Sequence, residues 1–270
     1  MFRIGNMKLE QHDYIIHPIG GIELTIFTGN NPDDAPALFF THGKNGCKIS
    51  HYEYCRELNK VGFNVFAIDQ RNHGKRTIDQ TLIDFKSPFI VAELFAEVVG
   101  TAKDISFLID AIPSTTGLNP KRWGLIGGSL GAIASIQTMT HDQRISCVAS
   151  IVGSGDFKGL VYNSIENTEV SKEEVDEQFD AATIELYKKY DAINYVEKLN
   201  NRPLLLCAGE IDDVVPAQNI YNYYQKAAAM YADKDNIEYR EYKDAGHGDT
   251  PEMKADCVEW LRKQLLVVSG

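Results

Sequence analysis

The chain has 270 residues, 44% hydrophobic and 24% charged, which is enough apolar material to build a full core in one large domain. With 27 basic against 38 acidic residues the formal charge is −11, which argues against nucleic acid or an anionic membrane surface as a partner. The cysteines, Cys47, Cys55, Cys147, Cys207 and Cys257, are odd in number and form no C-x-x-C motif, so complete internal pairing is excluded; Cys147 and Cys207, in apolar runs, read as reduced core residues.

The N-terminal stretch MFRIGNMKLEQHDY lacks an apolar centre of signal-peptide length, and no run approaches the roughly 18–20 apolar residues of a membrane span. The expected location is the cytoplasm. Ile22–Phe27 reads as a strand, and Ala37–Thr41 as a buried strand running into His42 and Gly43. His51–Val61 has helical spacing, with Tyr54, Leu58 and Val61 on one face. Asn64–Ile68 is the next strand and Ile90–Ile112 a long helix. Trp123–Ile126 (strand) leads to Gly131–Met139 (helix), then Cys147–Val152 (strand). After a long gap come Pro203–Ala208 (strand), Ala217–Tyr231 (helix), Ile237–Tyr242 (strand) and Glu252–Leu266 (helix). Short buried strands alternating with helices predict an α/β fold, a mostly parallel sheet covered on both faces, with ligands beyond the C-terminal strand ends.

Residues Gly155–Asn201 are too many for a plain crossover. Ser171–Tyr190 has helical character, and Ser171 with Glu174 fits a capping box. The expectation is a single domain over 1–270 with 155–201 as a small helical cap inserted between strands; the bland alternative is an enlarged crossover helix. The cap's acidic face reads as solvated surface.

Gly127-Gly128-Ser129-Leu130-Gly131 fits G-x-S-x-G between an apolar strand and a helix. In a nucleophile elbow the serine sits in a strained turn, and side chains two residues either side would collide with it. No Lys-Ser/Thr follows for a P-loop, and the glycine spacing is not that of a dinucleotide site. A serine nucleophile needs a base and an orienting acid, in this fold in the order Ser, Asp or Glu, His. After Gly209 the one histidine is His247, in the glycine-flanked DAGHGD. The acid should follow PLLLCA, where Asp212 is the choice and Asp213 and Glu210 are fallbacks. The loop Thr41–Gly46 (THGKNG) offers the backbone N–H of Lys44 as an oxyanion donor, paired with that of Leu130. Taken singly, these loops read as a surface histidine, a helix N-cap and a Gly-rich turn.

The run from His42-Gly43 through Gly62-Phe63-Asn64-Val65 to Asp69-Gln70-Arg71-Asn72-His73-Gly74 resembles the H-G … D-x-R-G-H-G pattern of α/β-hydrolase serine esterases, with Asn72 in place of a glycine. Arg202–Leu206 with Gly209–Pro216 resembles the prolyl-oligopeptidase-like and dienelactone-hydrolase-like bacterial branch. The resemblance spans Ile22 to Leu266 apart from the cap. It implies the α/β-hydrolase fold, a Ser129–His247–Asp212 triad, and loop-shaping roles for Asp69, Arg71 and His73. Dienelactone hydrolases use cysteine as nucleophile; Ser129 favours a general esterase.

The expected reaction is hydrolysis of small-molecule esters with small or medium acyl groups, with no metal or organic cofactor. Tyr52, Phe157, Leu160 and Tyr162 are candidate acyl-pocket walls, equally suited to packing. A peptidase, thioesterase or acyltransferase would use the same triad, although the chain lacks the large extra domain of prolyl oligopeptidases. A non-catalytic ligand-binding protein on this fold is a further alternative. A second subunit supplying the lid, in a homodimer, is another arrangement the sequence allows.

Overall fold

The structure is a computed structural model that describes residues 3–4, 7–8, 14–78, 88–163, 165 and 171–266. Eight strands form one sheet: β1 (Ile15–Ile19), β2 (Ile22–Phe27), β3 (Ala37–Thr41), β4 (Asn64–Ile68), β5 (Trp123–Gly128), β6 (Ile145–Ile151), β7 (Leu204–Gly209) and β8 (Ile237–Tyr242). Their spatial order is β8-β7-β6-β5-β3-β4-β2-β1. β1 pairs β2, and β2 pairs β4, antiparallel; every other pairing is parallel. A separate short ribbon pairs Arg3–Ile4 with Met7–Lys8.

The inner strands β3 to β7 are buried on both faces because both faces of the sheet are covered there. In β3, Ala37 and Phe39 face one core while Leu38 and Phe40 face the other. On the first face lie α2 (Pro88–Thr116), α3 (Leu130–His141) and α7 (Ala217–Met230), through Leu94, Ile105, Ile133, Ile136 and Tyr223. On the second lie α1 (Tyr52–Val61) and α8 (Pro251–Leu265), through Tyr54, Leu58, Met253 and Trp260. Among the described residues no helix is long and apolar enough to cross a membrane. All five cysteines are free thiols, and Cys147 and Cys207 are buried in strands.

Between β6 and β7 the chain forms α4 (Phe157–Asn163), α5 (Lys172–Gln178), α6 (Ala181–Tyr190) and a 3-10 stretch, Ala192–Leu199. Residues 164 and 166–170 of the predicted cap lie outside the described residues. The capping box forms: Ser171 Oγ accepts from the Glu174 N–H (3.1 Å), and the Ser171 N–H donates to the Glu174 carboxylate (2.7 Å). The single predicted helix is two, because Asp180 turns the chain and caps α6 through the Thr183 N–H (2.7 Å). Phe95 of α2 stacks on Tyr187 and packs against Phe157, anchoring these helices to the first face.

β3 is the switch point of the sheet. Its outgoing connection leads to β4 on one side, while β5 on its other side leads away to β6. The two connections diverge and leave a crevice above the strand ends, the usual binding place in such sheets.

Candidate active site

Ser129 stands between β5 and α3 with φ 52° and ψ −121°, a conformation that strongly favours glycine. The strain is held in place from several sides. The Ser129 N–H donates to the Ile151 carbonyl (2.8 Å). Thr41 Oγ, at the end of β3, donates to the Gly131 carbonyl (2.8 Å). A Cβ at position 131 would lie 2.1 Å from the Thr41 carbonyl oxygen, and one at 127 would lie 2.5 Å from the Gly131 backbone. Both are backbone clashes, so the G-x-S-x-G glycines are required by close approach. Gly128 meets nothing within 4 Å and leaves the crevice open beside the serine.

Three predicted residues come together there. His247 Nε2 lies 2.9 Å from Ser129 Oγ. His247 Nδ1 lies 2.9 and 3.1 Å from the two Asp212 oxygens. The Asp212 side chain is fully buried, and its Oδ1 also accepts the Val214 and Val215 N–H groups, both at 2.9 Å. A carboxylate only accepts, so Nδ1 carries the imidazole proton and Nε2 is free to take one from Ser129. The loop after β7 carries the acid and the loop after β8 the imidazole; they are tied together where the Ile211 N–H donates to the Ala245 carbonyl (3.0 Å). Of the fallback acids, the Glu210 carboxylate instead accepts the Asp244 N–H (2.9 Å).

Lys44 borders the crevice, and Leu130 directly follows Ser129. Leu130 is the first residue of α3, so its N–H has no acceptor within the helix, and the helix end favours negative charge. The β3 loop is braced by His42, whose Nε2 accepts the Gln70 N–H (3.1 Å) while Nδ1 donates to the Gly43 carbonyl (2.7 Å). Burial pushes this imidazole from its ordinary 6.5 to about 4. Between those values the unfolded chain binds a proton that folded His42 refuses. Stability therefore falls as pH drops from about 6.5 to 4, by up to about 3 kcal/mol. Urea unfolding across this window should show a shallower pH dependence in His42→Gln than in the wild type, and equal slopes would contradict the assignment.

Asp69, Arg71 and His73 form the next layer. Asp69 accepts from the Lys48 N–H (2.6 Å) and ammonium (2.8 Å), Arg71 pairs with Asp104 (2.8 Å), and His73 Nδ1 bonds the Arg71 carbonyl (2.8 Å).

The crevice at Ser129 holds about 370 Å³. Its walls come from Gly43, Lys44 and Asn45 of the β3 loop, and from His51 and Asp249; its aliphatic side chains are Val152 and Val214. His51 and Asp249 escaped the sequence reading. They form a pair at 3.1 Å, and Lys254 joins Asp249 at 2.9 Å. Burial alone would raise the Asp249 carboxyl, but the bonds from His51 and Lys254 outweigh it and hold it at about 2. The aspartate two residues beyond His247 was the visible signal; its partner, 198 positions upstream, was not. The candidate acyl walls lie elsewhere. Phe157 and Leu160 are core residues, Tyr52 packs on Phe27, and Tyr162 lines a separate cavity among the helices of 155–201. Among the described residues none from 155–201 lines the Ser129 crevice.

The sequence profile of the prolyl oligopeptidase family matches residues 98–266, more than half of the chain and the part that holds Ser129, Asp212 and His247. The chain belongs to that family. It is similar to the esterase YjfP of Escherichia coli strain K12, 24% identical over 237 residues, covering 88% of this chain and 92% of the relative. Among solved structures it resembles TT1662 from Thermus thermophilus, with a TM-score of 0.76 and 21% identity over 94% of this chain and 99% of that one. It also resembles the Pyrococcus furiosus esterase Pf2001, with a TM-score of 0.63 and 21% identity over 93% of each chain. At these identities the structural likeness establishes the shared α/β-hydrolase fold.

Proposed function

We propose that the protein is a serine hydrolase that cleaves carboxylic esters with short acyl groups. The observation that carries this reading is the continuous line Ser129 Oγ, His247, Asp212, with every link at 2.9 Å. Ser129 attacks the ester carbonyl as His247 Nε2 takes its proton, and Asp212 stabilises the imidazolium. The N–H groups of Lys44 and Leu130 receive the oxyanion. His247 then protonates the leaving alcohol and activates water for deacylation. The similarity to a relative named as an esterase supports the same reading.

The walls support the short end of the small-to-medium acyl range. Each methylene buried in an apolar channel contributes about 0.8 kcal/mol. The crevice presents Val152 and Val214 as aliphatic surface, with Lys44, His51 and Asp249 among its other walls. With these polar groups among the walls, the methylenes that separate octanoate from butyrate should gain less than this figure. With p-nitrophenyl acetate, butyrate and octanoate, kcat/KM is expected to be highest for acetate or butyrate. A preference for octanoate would sink the short-acyl assignment. An alanine p-nitroanilide and an acyl thioester run alongside test the peptidase and thioesterase readings. A protein that neither turns over any of these nor reacts with a fluorophosphonate would point instead to ligand binding without catalysis.

A further inference from the structure

Glu97 of α2 stands where two loops meet. Its Oε1 accepts the Asn72 side-chain amide at 2.9 Å. Its Oε2 lies 3.7 Å from the Lys44 ammonium and 3.8 Å from His73 Nδ1. The Lys44 side chain is one-tenth exposed, so its stem runs into the protein while the residue itself borders the crevice. Asn72 is the residue that replaces the glycine of the family pattern. It keeps the left-handed conformation, φ 57°, which asparagine tolerates better than most side chains. It also does what glycine cannot: its Oδ1 accepts the Ile78 N–H at 3.0 Å while its amide holds Glu97.

We propose that Asn72 and Glu97 are positioning residues that clamp the Lys44 side chain and thereby fix its backbone N–H as an oxyanion donor. This rests on the serine-hydrolase reading above. The Asn72 amide fixes one oxygen of Glu97 and leaves the other facing Lys44. Burial pushes the Lys44 ammonium down, and Glu97 is the group that pulls the other way. Without an oriented Glu97, the ammonium gains by leaving for water, and the loop that carries its N–H goes with it. Losing an oxyanion donor costs on the order of 10²–10³ in kcat, and a displacement of about 1 Å can cost about 10². A loosened donor should therefore cost about tenfold.

The test is a double-mutant cycle of wild type, Asn72→Gly, Lys44→Met and the double variant, assayed with p-nitrophenyl butyrate. Asn72→Gly is the cleaner arm, since glycine accepts φ 57° and the fold survives. Each single variant is expected to lose about tenfold in kcat with KM within about twofold, and about tenfold in affinity for benzeneboronic acid, which forms a tetrahedral adduct on the serine. Because both act through one clamp, the double variant should also lose about tenfold rather than a hundredfold. A merely structural role would change stability without this split between kcat and KM. Undiminished kcat in Asn72→Gly, or additive losses in the double variant, overturns the clamp while leaving Ser129 labelled by fluorophosphonate. A wild type that neither labels nor turns over overturns the hydrolase reading and the clamp together.

Discussion

Replacing Ser129 by alanine should lower kcat for p-nitrophenyl acetate by at least about 10⁴-fold, leaving what binding and the oxyanion donors supply. Replacing it by glycine should cost as much activity but produce a more stable protein than the alanine variant. The reason is the backbone. At φ 52° and ψ −121° Ser129 occupies a region that costs a residue with a Cβ about 1–3 kcal/mol. Alanine keeps the Cβ and the strain. Glycine relieves the strain, although its greater freedom in the unfolded chain returns about 0.5–1 kcal/mol. The net difference should be about 1 kcal/mol in favour of glycine, measurable as a shift in the urea midpoint. If the two variants unfold together, the turn is not strained. If Ser129→Ala retains activity and fluorophosphonate labelling, the nucleophile lies elsewhere.

That strain is legible in the sequence, because glycines at 127 and 131 have a reason to exist when the chain folds back this tightly. The strands around it were equally legible, since a strand covered on both faces leaves an unbroken apolar run such as ALFFT or PLLLCA. β1 was missed because IIHPI carries His17 and Pro18; proline is tolerated there because the strand lies at the sheet edge. The expected helix end at Ile112 falls short, since α2 continues through Pro113 to Thr116. The separation between α5 and α6 was hidden because Asp180 reads locally as one more acidic helix residue. The walls of the crevice were least legible. His51 and Asp249 meet only through the arrangement of loops after β3 and β8, and nothing local in either loop names the other. Asn72 shows the same limit from the other side: its departure from the family glycine was visible, but its partner on α2 was not.

The second large effect is expected at Asp212. Asp212→Asn is nearly isosteric, and the two backbone N–H groups of Val214 and Val215 fix its orientation. They need an acceptor, so the asparagine must turn its carbonyl oxygen toward them and its amide toward His247. An amide N–H can only donate, so His247 Nδ1 becomes the acceptor and the ring proton moves to Nε2. Nε2 then faces Ser129 as a donor and cannot take its proton. The predicted loss is about 10⁴-fold in kcat near pH 7, with little change in KM or stability, because shape and hydrogen-bond count are kept. Fluorophosphonate labelling of Ser129 should slow in parallel, since it draws on the same base. Asp213→Asn is the control: Asp213 lies outside the line of hydrogen bonds from Ser129 to Asp212 and should leave kcat within about twofold. A loss of less than tenfold in Asp212→Asn would mean that another group orients the imidazole, and the role given to Asp212 would fall.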